Sequence, residues 1–281
     1  MGSITPTPQY TLHKLDHSDP AYASVIFPSI INVILAANHT PYDPLIQLFI
    51  PTSPLSPNSR QAALNSATQR FLHNHHTNPV STWYFVAENP TSSPSRVVGC
   101  CEWEDHDRNP FEKGVPKLAA EWWPEGEARE FCERFLEQVY TPRASWMTRP
   151  HRALNWMAVH PSHRRCGIAS MLMTAGLGDP IKDDKEAWME ASPMGKPLYE
   201  KFGFKALLKI DFDMTKTDPS NVWRKMQHEM TPGPIYLMWR PKRGAWDIKP
   251  WAMVPVGPSA LENTVSMIEQ HIRMEKPESS I

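Results

Sequence analysis

The chain has 281 residues with 29 Lys and Arg against 30 Asp and Glu, a formal net charge of −1. Such a balance gives no global field for nucleic acid or an anionic membrane, and the length suits one elaborated core. Four cysteines, two of them the adjacent Cys100 and Cys101, suit a reduced compartment rather than a disulfide framework, so a cytoplasmic protein, monomer or homodimer, is expected. Proline is unusually frequent, 29 residues or roughly twice average usage, and it punctuates long loops between periodic segments.

In chain order, Gln9 to Leu15 alternates weakly, as an opening strand does. Asp19 to Ala37 then carries Ala23, Ile26, Phe27, Ile30, Ile31, Ile34 and Leu35 at helical spacing, with Pro28 expected to kink or break it. Its apolar run from Val25 to Ala37 is interrupted by Pro28 and Asn32 and reads as too short to span a bilayer. A proline-rich connection with an apolar patch from Leu45 to Ile50 leads to a second helix, capped by Asn58 or Ser59 and ending near His75. His73, His75 and His76 lie on it, but they fall on different faces with no Cys or carboxylate at ligand spacing, so no metal is expected.

Trp83 to Ala87 and Val97 to Trp103 are β-rich runs joined by a hairpin-like stretch, Glu88 to Arg96. Alternation places Glu102 and Glu104 on one face at the end of the second run. Asp105 to Pro150 is a long insertion. Its helix, from about Glu127 to Tyr140, has an apolar face of Phe131, Phe135 and Val139. Two roles stay open for it, a wall or lid over a binding site and a satellite helix covering a sheet edge.

Leu154 to Val159 is a mostly apolar run that stops at His160-Pro161, a buried strand. After the basic turn His163-Arg164-Arg165-Cys166-Gly167, residues Ile168, Met171, Leu172 and Ala175 mark the core face of a helix. A helix start leaves backbone N–H groups unpaired at the positive end of the helix dipole, and a glycine lets an anion approach them closely, so a phosphate fits this turn. Trp188 to Ala191 is a further short strand. Ser192-Pro193 is the cap and first position of a short helix reaching Phe202, and Gly203 is its left-handed stop.

Arg164-x-x-Gly167-x-Ala169 resembles the pyrophosphate signature of the GNAT acetyltransferases, and Leu198-Tyr199-Glu200-Lys201-Phe202-Gly203-Phe204 resembles the Leu-Tyr-x-x-x-Gly-Phe that closes the GNAT core. The insertion resembles those of fungal members. The resemblance implies an α/β (α+β) GNAT fold, a mixed, mostly antiparallel central sheet with helices on both faces. One domain is expected over residues 1–281, with the insertion at about 105–150 and a C-terminal extension at about 241–281.

It also implies acetyl-CoA as acyl donor and a small-molecule amine as acceptor, without nucleic acid or membrane partners. By resemblance, backbone groups of Met157, Ala158 and Val159 pair with the pantetheine arm. The turn Arg164, Arg165, Cys166, Gly167, Ile168 and Ala169 holds the pyrophosphate, Ser192 stands where many members carry a pantetheine-binding Asn, and Tyr199 stands as general acid.

The family's early-strand carboxylate base has no counterpart at Arg152, Ala153 or Leu154. Glu190 is the first choice, Glu102 or Glu104 the second, and a relayed water or an already neutral amine the third. Two other functions stay open, a non-catalytic acyl-CoA-binding protein and an acyl-thioester enzyme such as a decarboxylase. Aromatic residues in the insertion, Trp122, Trp123 and Trp146, point to an apolar or aromatic amine. Phe204 to Phe212 and Ile235 to Arg240 are further strands with a short helix at about Trp223 to Met230, and Ala260 to Met274 reads as a terminal helix.

Overall fold

The computed structural model describes residues 9–52, 59–89, 96–178 and 185–245. The expected terminal helix and most of the C-terminal extension lie outside the described residues. Among the described residues, seven strands form a single sheet in the order β1-β2-β3-β4-β5-β7-β6. They are β1 Gln9–Lys14, β2 Ser81–Asn89, β3 Arg96–His106, β4 His151–Val159, β5 Glu186–Ala191, β6 Lys205–Ile210 and β7 Ile235–Arg240. All neighbouring pairs are antiparallel except β4 and β5, whose crossover is the helix α5, Ile168–Leu177.

Strict alternation along the strands sorts the core into two faces. Phe85, Cys100 and Ala158 pack with the helices α1, Pro20–His39, and α3, Arg60–Thr77. Their neighbours Val86, Cys101 and Met157 pack on the opposite face with Ile168 and Leu172 of α5. On the far half of the sheet, Trp188, Leu237 and Trp239 meet the helices α4, Glu127–Trp146, and α7, Asn221–Met230. Each such buried side chain contributes roughly 1.5–3 kcal/mol of transfer free energy.

α1 continues through Pro28 as one twenty-residue helix rather than breaking there. With a mean hydropathy of 1.7 it is long and apolar enough to cross a bilayer, which corrects the shorter run expected from sequence. Its apolarity has a local cause, because Phe27, Ile30, Ile31 and Ile34 are buried in the core. The insertion helix is longer than expected and runs through Pro142 to Trp146. A short helix α2, Leu45–Phe49, precedes α3, and Ser59 is confirmed as the α3 cap, its hydroxyl accepting the Ala62 N–H at 3.2 Å. The sixth helix, α6, starts later than expected, at Lys196, and ends at Lys201.

Candidate active site

The site is organised by the place where the sheet parts. β4 and β5 pair from His151↔Glu186 only to Leu154↔Met189. Beyond that, Trp156 to Val159 keeps the ladder with β3 on one edge, and its other edge faces a cleft of about 760 Å³. A β-bulge coincides with the parting, since Glu102 pairs with Trp156 and Trp103 with Leu154, which leaves Asn155 as the extra residue. Bulges bend a strand and re-aim its side chains. Here the bulged strand is the one that carries Met157, Ala158 and Val159, all of which line the cleft.

At the end of β4 the chain makes a short 3-10 turn, Pro161–His163, and enters α5 through two left-handed residues, Arg165 at φ 66° and Gly167 at φ 82°. Left-handed backbone in such turns brings successive N–H groups together into an anion-binding concavity. α5 starts at Ile168, which is buried and fixes the helix to the sheet, while Arg165, Cys166 and Gly167 are exposed. The first N–H groups of α5, including those of Ile168 and Ala169, have no partner within the helix and face outward with its dipole. Arg164 does not add its charge there as expected. Its guanidinium donates to the carbonyls of Ala37, at 2.7 Å, and Thr40, and so caps the C-terminus of α1. The donor side of the turn is thus backbone plus Arg165.

On the α5 face of the parting, α6 presents Tyr199, which lines the cleft. Its ring lies over Gly195, where a Cβ would come within 2.9 Å of Cε2, so only a glycine leaves room for the phenol in this pose. Burial pushes the Tyr199 hydroxyl up, so it stays protonated. Ser192 is not the cap of α6. It lies a turn earlier, and its hydroxyl accepts the Gly195 N–H at 3.2 Å within that turn, at the cleft margin.

The opposite face holds three carboxylates. Glu190 is engaged on both oxygens by Arg143, at 2.8 and 2.5 Å. A carboxylate so held is badly placed to take a proton, which removes the first-choice base. Glu104 accepts from Asn78 at 2.7 Å and from His106 at 3.1 Å. Burial works to raise it, but the His106 hydrogen bond and the His106 and Arg143 charges prevail and hold it below the usual range.

Glu102 differs from both. It is 3% exposed and accepts from Ser81 at 2.7 Å and Asn74 at 3.2 Å, with no cation against it among its hydrogen-bond partners. Burial, reinforced by Glu104, pushes its carboxyl up to about 7. Apolar walls close the cleft around these groups. Phe49 meets Trp156 at 5.1 Å and Phe135 at 6.0 Å between ring centroids. The insertion helix supplies Phe135, Val139, Tyr140 and Arg143, so it both walls the cleft and packs with α7 on the sheet.

Sequence reasoning missed Arg143, Asn155 and Phe49. A signal existed for one of them, because Phe131, Phe135 and Val139 recur every four residues and Arg143 is the next step of that stripe. A cation continuing an apolar face has a buried partner more often than not. The bulge at Asn155 left no trace in the one-dimensional pattern.

Residues 132–206 match the family described as Acetyltransferase (GNAT) domain, a span that holds the parting, the turn, α5 and Tyr199. No curated protein matches the chain. Among solved structures, the Drosophila melanogaster polyamine N-acetyltransferase is similar, with a TM-score of 0.53 at 13% identity, covering 83% of this chain and 100% of that one. A mutant agmatine N-acetyltransferase in its apo form gives a TM-score of 0.51 at 14% identity, covering 82% and 97%. At this identity the likeness is one of fold. The family match falls on the residues that build the parted sheet and its turn, so residues 132–206 carry the match to the GNAT acetyltransferase domain, a family whose acyl donor is acetyl-CoA.

Proposed function

We propose that this enzyme acetylates the primary amine of a small molecule that carries a single ammonium on an apolar or aromatic body. The observation that carries the reading is Glu102, a buried carboxyl pushed up to about 7 inside a cleft with aromatic walls, across the parted sheet from Tyr199. Of three carboxylates, Glu190 is cancelled by Arg143 and Glu104 is partly offset by His106, so the cleft has room for about one extra cation. An acceptor with several ammonium groups would leave charge uncompensated among Phe49, Trp156 and Phe135.

The residues present fit the donor. Exposed, left-handed Gly167 leaves open space beside the α5 N-terminus for a diphosphate, and the free edge at Met157 to Val159 offers strand-like hydrogen bonds to an amide-bearing arm. When bound, acetyl-CoA supplies the activated acetyl thioester. Glu102 takes the proton that the incoming ammonium must lose, and a base with a value near 7 is half in its working form at neutral pH. Tyr199, held as a phenol, donates a hydrogen bond to the sulfur as it gains negative charge. Ser81 and Asn74 keep Glu102 in place without a charge of their own.

A non-catalytic acyl-CoA-binding role drew its motive from the missing carboxylate on the central strand, and Glu102 on the adjoining strand supplies one. The test is thiol release from acetyl-CoA with matched panels of monoamines and diamines, on wild type and Tyr199→Phe. Turnover with arylalkyl monoamines well above diamines is expected, and Tyr199→Phe should lower kcat roughly a hundredfold while acetyl-CoA affinity stays within about twofold. Turnover favouring diamines, or unchanged kcat in Tyr199→Phe, would overturn the reading.

A further inference from the structure

Arg143 touches both strands where the sheet opens. Its Nε and one terminal nitrogen donate to the two oxygens of Glu190, and its other terminal nitrogen donates to Asn155 Oδ1 at 3.1 Å. Glu190 is the first residue of β5 beyond the last β4–β5 pair, and Asn155 is the bulge residue just beyond it on β4. The guanidinium therefore spans the gap at its apex, and it reaches there from α4, a helix outside the sheet. Tyr140, one turn earlier on α4, lies with its ring centroid 5.0 Å from the guanidinium carbon.

Both partners are largely buried, with side chains 12% and 8% exposed. Burial alone would push the guanidinium down, but Glu190 reverses this and keeps it charged. The planar fork fixes direction as well as distance, which an ammonium in the same place would not do. Asn155 passes the constraint on, since it sits beside Glu102 at the bulge and its side chain works against the effect of burial on both Glu102 and Glu104.

We infer that Arg143 is a positioning residue, a strut from the inserted helix that sets the width of the slot between β4 and β5 and, through Asn155, the pose of Glu102 and Glu104. It rests on reading that slot as the donor site and Glu102 as the base. The charged or titratable groups around Glu102 are Glu104 and His106 on β3, His151 on β4, Tyr140 and Arg143 on α4 and Glu190 on β5, with His17 behind Ser81. Of these, Arg143 and Glu190 form the pair whose separate removal changes local charge in opposite senses.

The experiment uses the full chain with Arg143→Lys, Arg143→Gln and Glu190→Gln, reading acetyl-CoA affinity by calorimetry and the pH profile of kcat/KM. Arg143→Lys keeps the charge and loses the fork, so acetyl-CoA binding should weaken about tenfold and kcat fall roughly a hundredfold, with the acid limb still near pH 7. Arg143→Gln should move that limb to higher pH, and Glu190→Gln, which leaves the cation unbalanced, should move it lower. A residue that only supported the fold would not shift the limb in opposite directions.

Wild-type affinity and kcat in Arg143→Lys, or limbs that move the same way in the two glutamine variants, would overturn the inference. If Arg143→Gln does not fold, Arg143→Lys and Glu190→Gln decide it. Failure of the wild type itself to bind acetyl-CoA would instead reject the proposed function.

Discussion

Replacing Glu102 by Gln tests the site through both stability and rate. In the fold the Glu102 carboxyl sits at about 7 against an ordinary 4.5, which means the anion is disfavoured by about 3 kcal/mol relative to the unfolded chain. The folded value lies above the unfolded one. The contribution is therefore fully present below about pH 4.5 and is lost as pH rises through about 7. Gln keeps an oxygen to accept from Ser81 and Asn74 and carries no charge.

Denaturant unfolding of wild type and Glu102→Gln at pH 5, 6, 7 and 8 should accordingly show the variant gaining on the wild type as pH rises, by up to about 3 kcal/mol at pH 8. In the same variant, kcat/KM at pH 8 should fall roughly a hundredfold. The rise in rate expected of the wild type as pH passes about 7 should disappear, measured with a weakly basic amine that is neutral throughout. A stability difference that stays flat between pH 5 and 8 would refute the buried-carboxyl account. A variant that keeps both the rate and the limb would refute the base assignment.

Gly167→Ala isolates backbone from space, because a Cβ there meets nothing within 4 Å while φ is 82°. A cost of about 1–2 kcal/mol at that turn and a roughly tenfold loss of acetyl-CoA affinity by calorimetry are expected, and unchanged affinity would show that the turn does not hold the diphosphate. Gly195→Ala pushes on Tyr199 from beneath, with its Cβ 2.9 Å from Cε2. Steady-state kinetics should show kcat falling at least about tenfold with acetyl-CoA affinity retained, and an unaffected kcat would place the phenol away from the reacting sulfur.

The donor half of this site was legible because it is local. A strand, a turn with one glycine and a helix lie within some two dozen residues, and the structure places Met157 to Val159 on the free edge and Gly167 in the left-handed region as the motif implies. The resemblance of Leu198 to Phe204 to a family motif pointed to Tyr199, whose short helix follows β5 and which lines the cleft. Where local pattern misled, a distant partner was the cause at Arg164 and Glu190. Arg164 looked like phosphate charge but is drawn to carbonyls more than 120 residues earlier, at Ala37 and Thr40. Glu190 looked free but is matched by Arg143, 47 positions away. Ser192 looked like a helix cap, yet a turn intervenes before α6 begins at Lys196.

The acceptor half is assembled from side chains of six elements, with Phe49 on α2, Asn74 on α3, Glu102 on β3, Arg143 on α4, Trp156 on β4 and Glu190 on β5. No window of sequence contains their relation. Alternation correctly puts Glu102 and Glu104 on one face, but their proton affinities separate because burial beside neutral donors from α3 and β2 raises Glu102, while the His106 imidazole on β3 and the Arg143 charge on α4 hold Glu104 down. Two carboxylates two residues apart thereby acquire opposite shifts, one suited to accept a proton near neutrality and one suited to remain charged. A binding turn made of backbone can be written in a short motif, whereas a base made by burial depends on what the remaining helices bring to it. The insertion helix, which lines the cleft with Phe135, Tyr140 and Arg143, is therefore the element to vary when the proposed acceptor preference is tested.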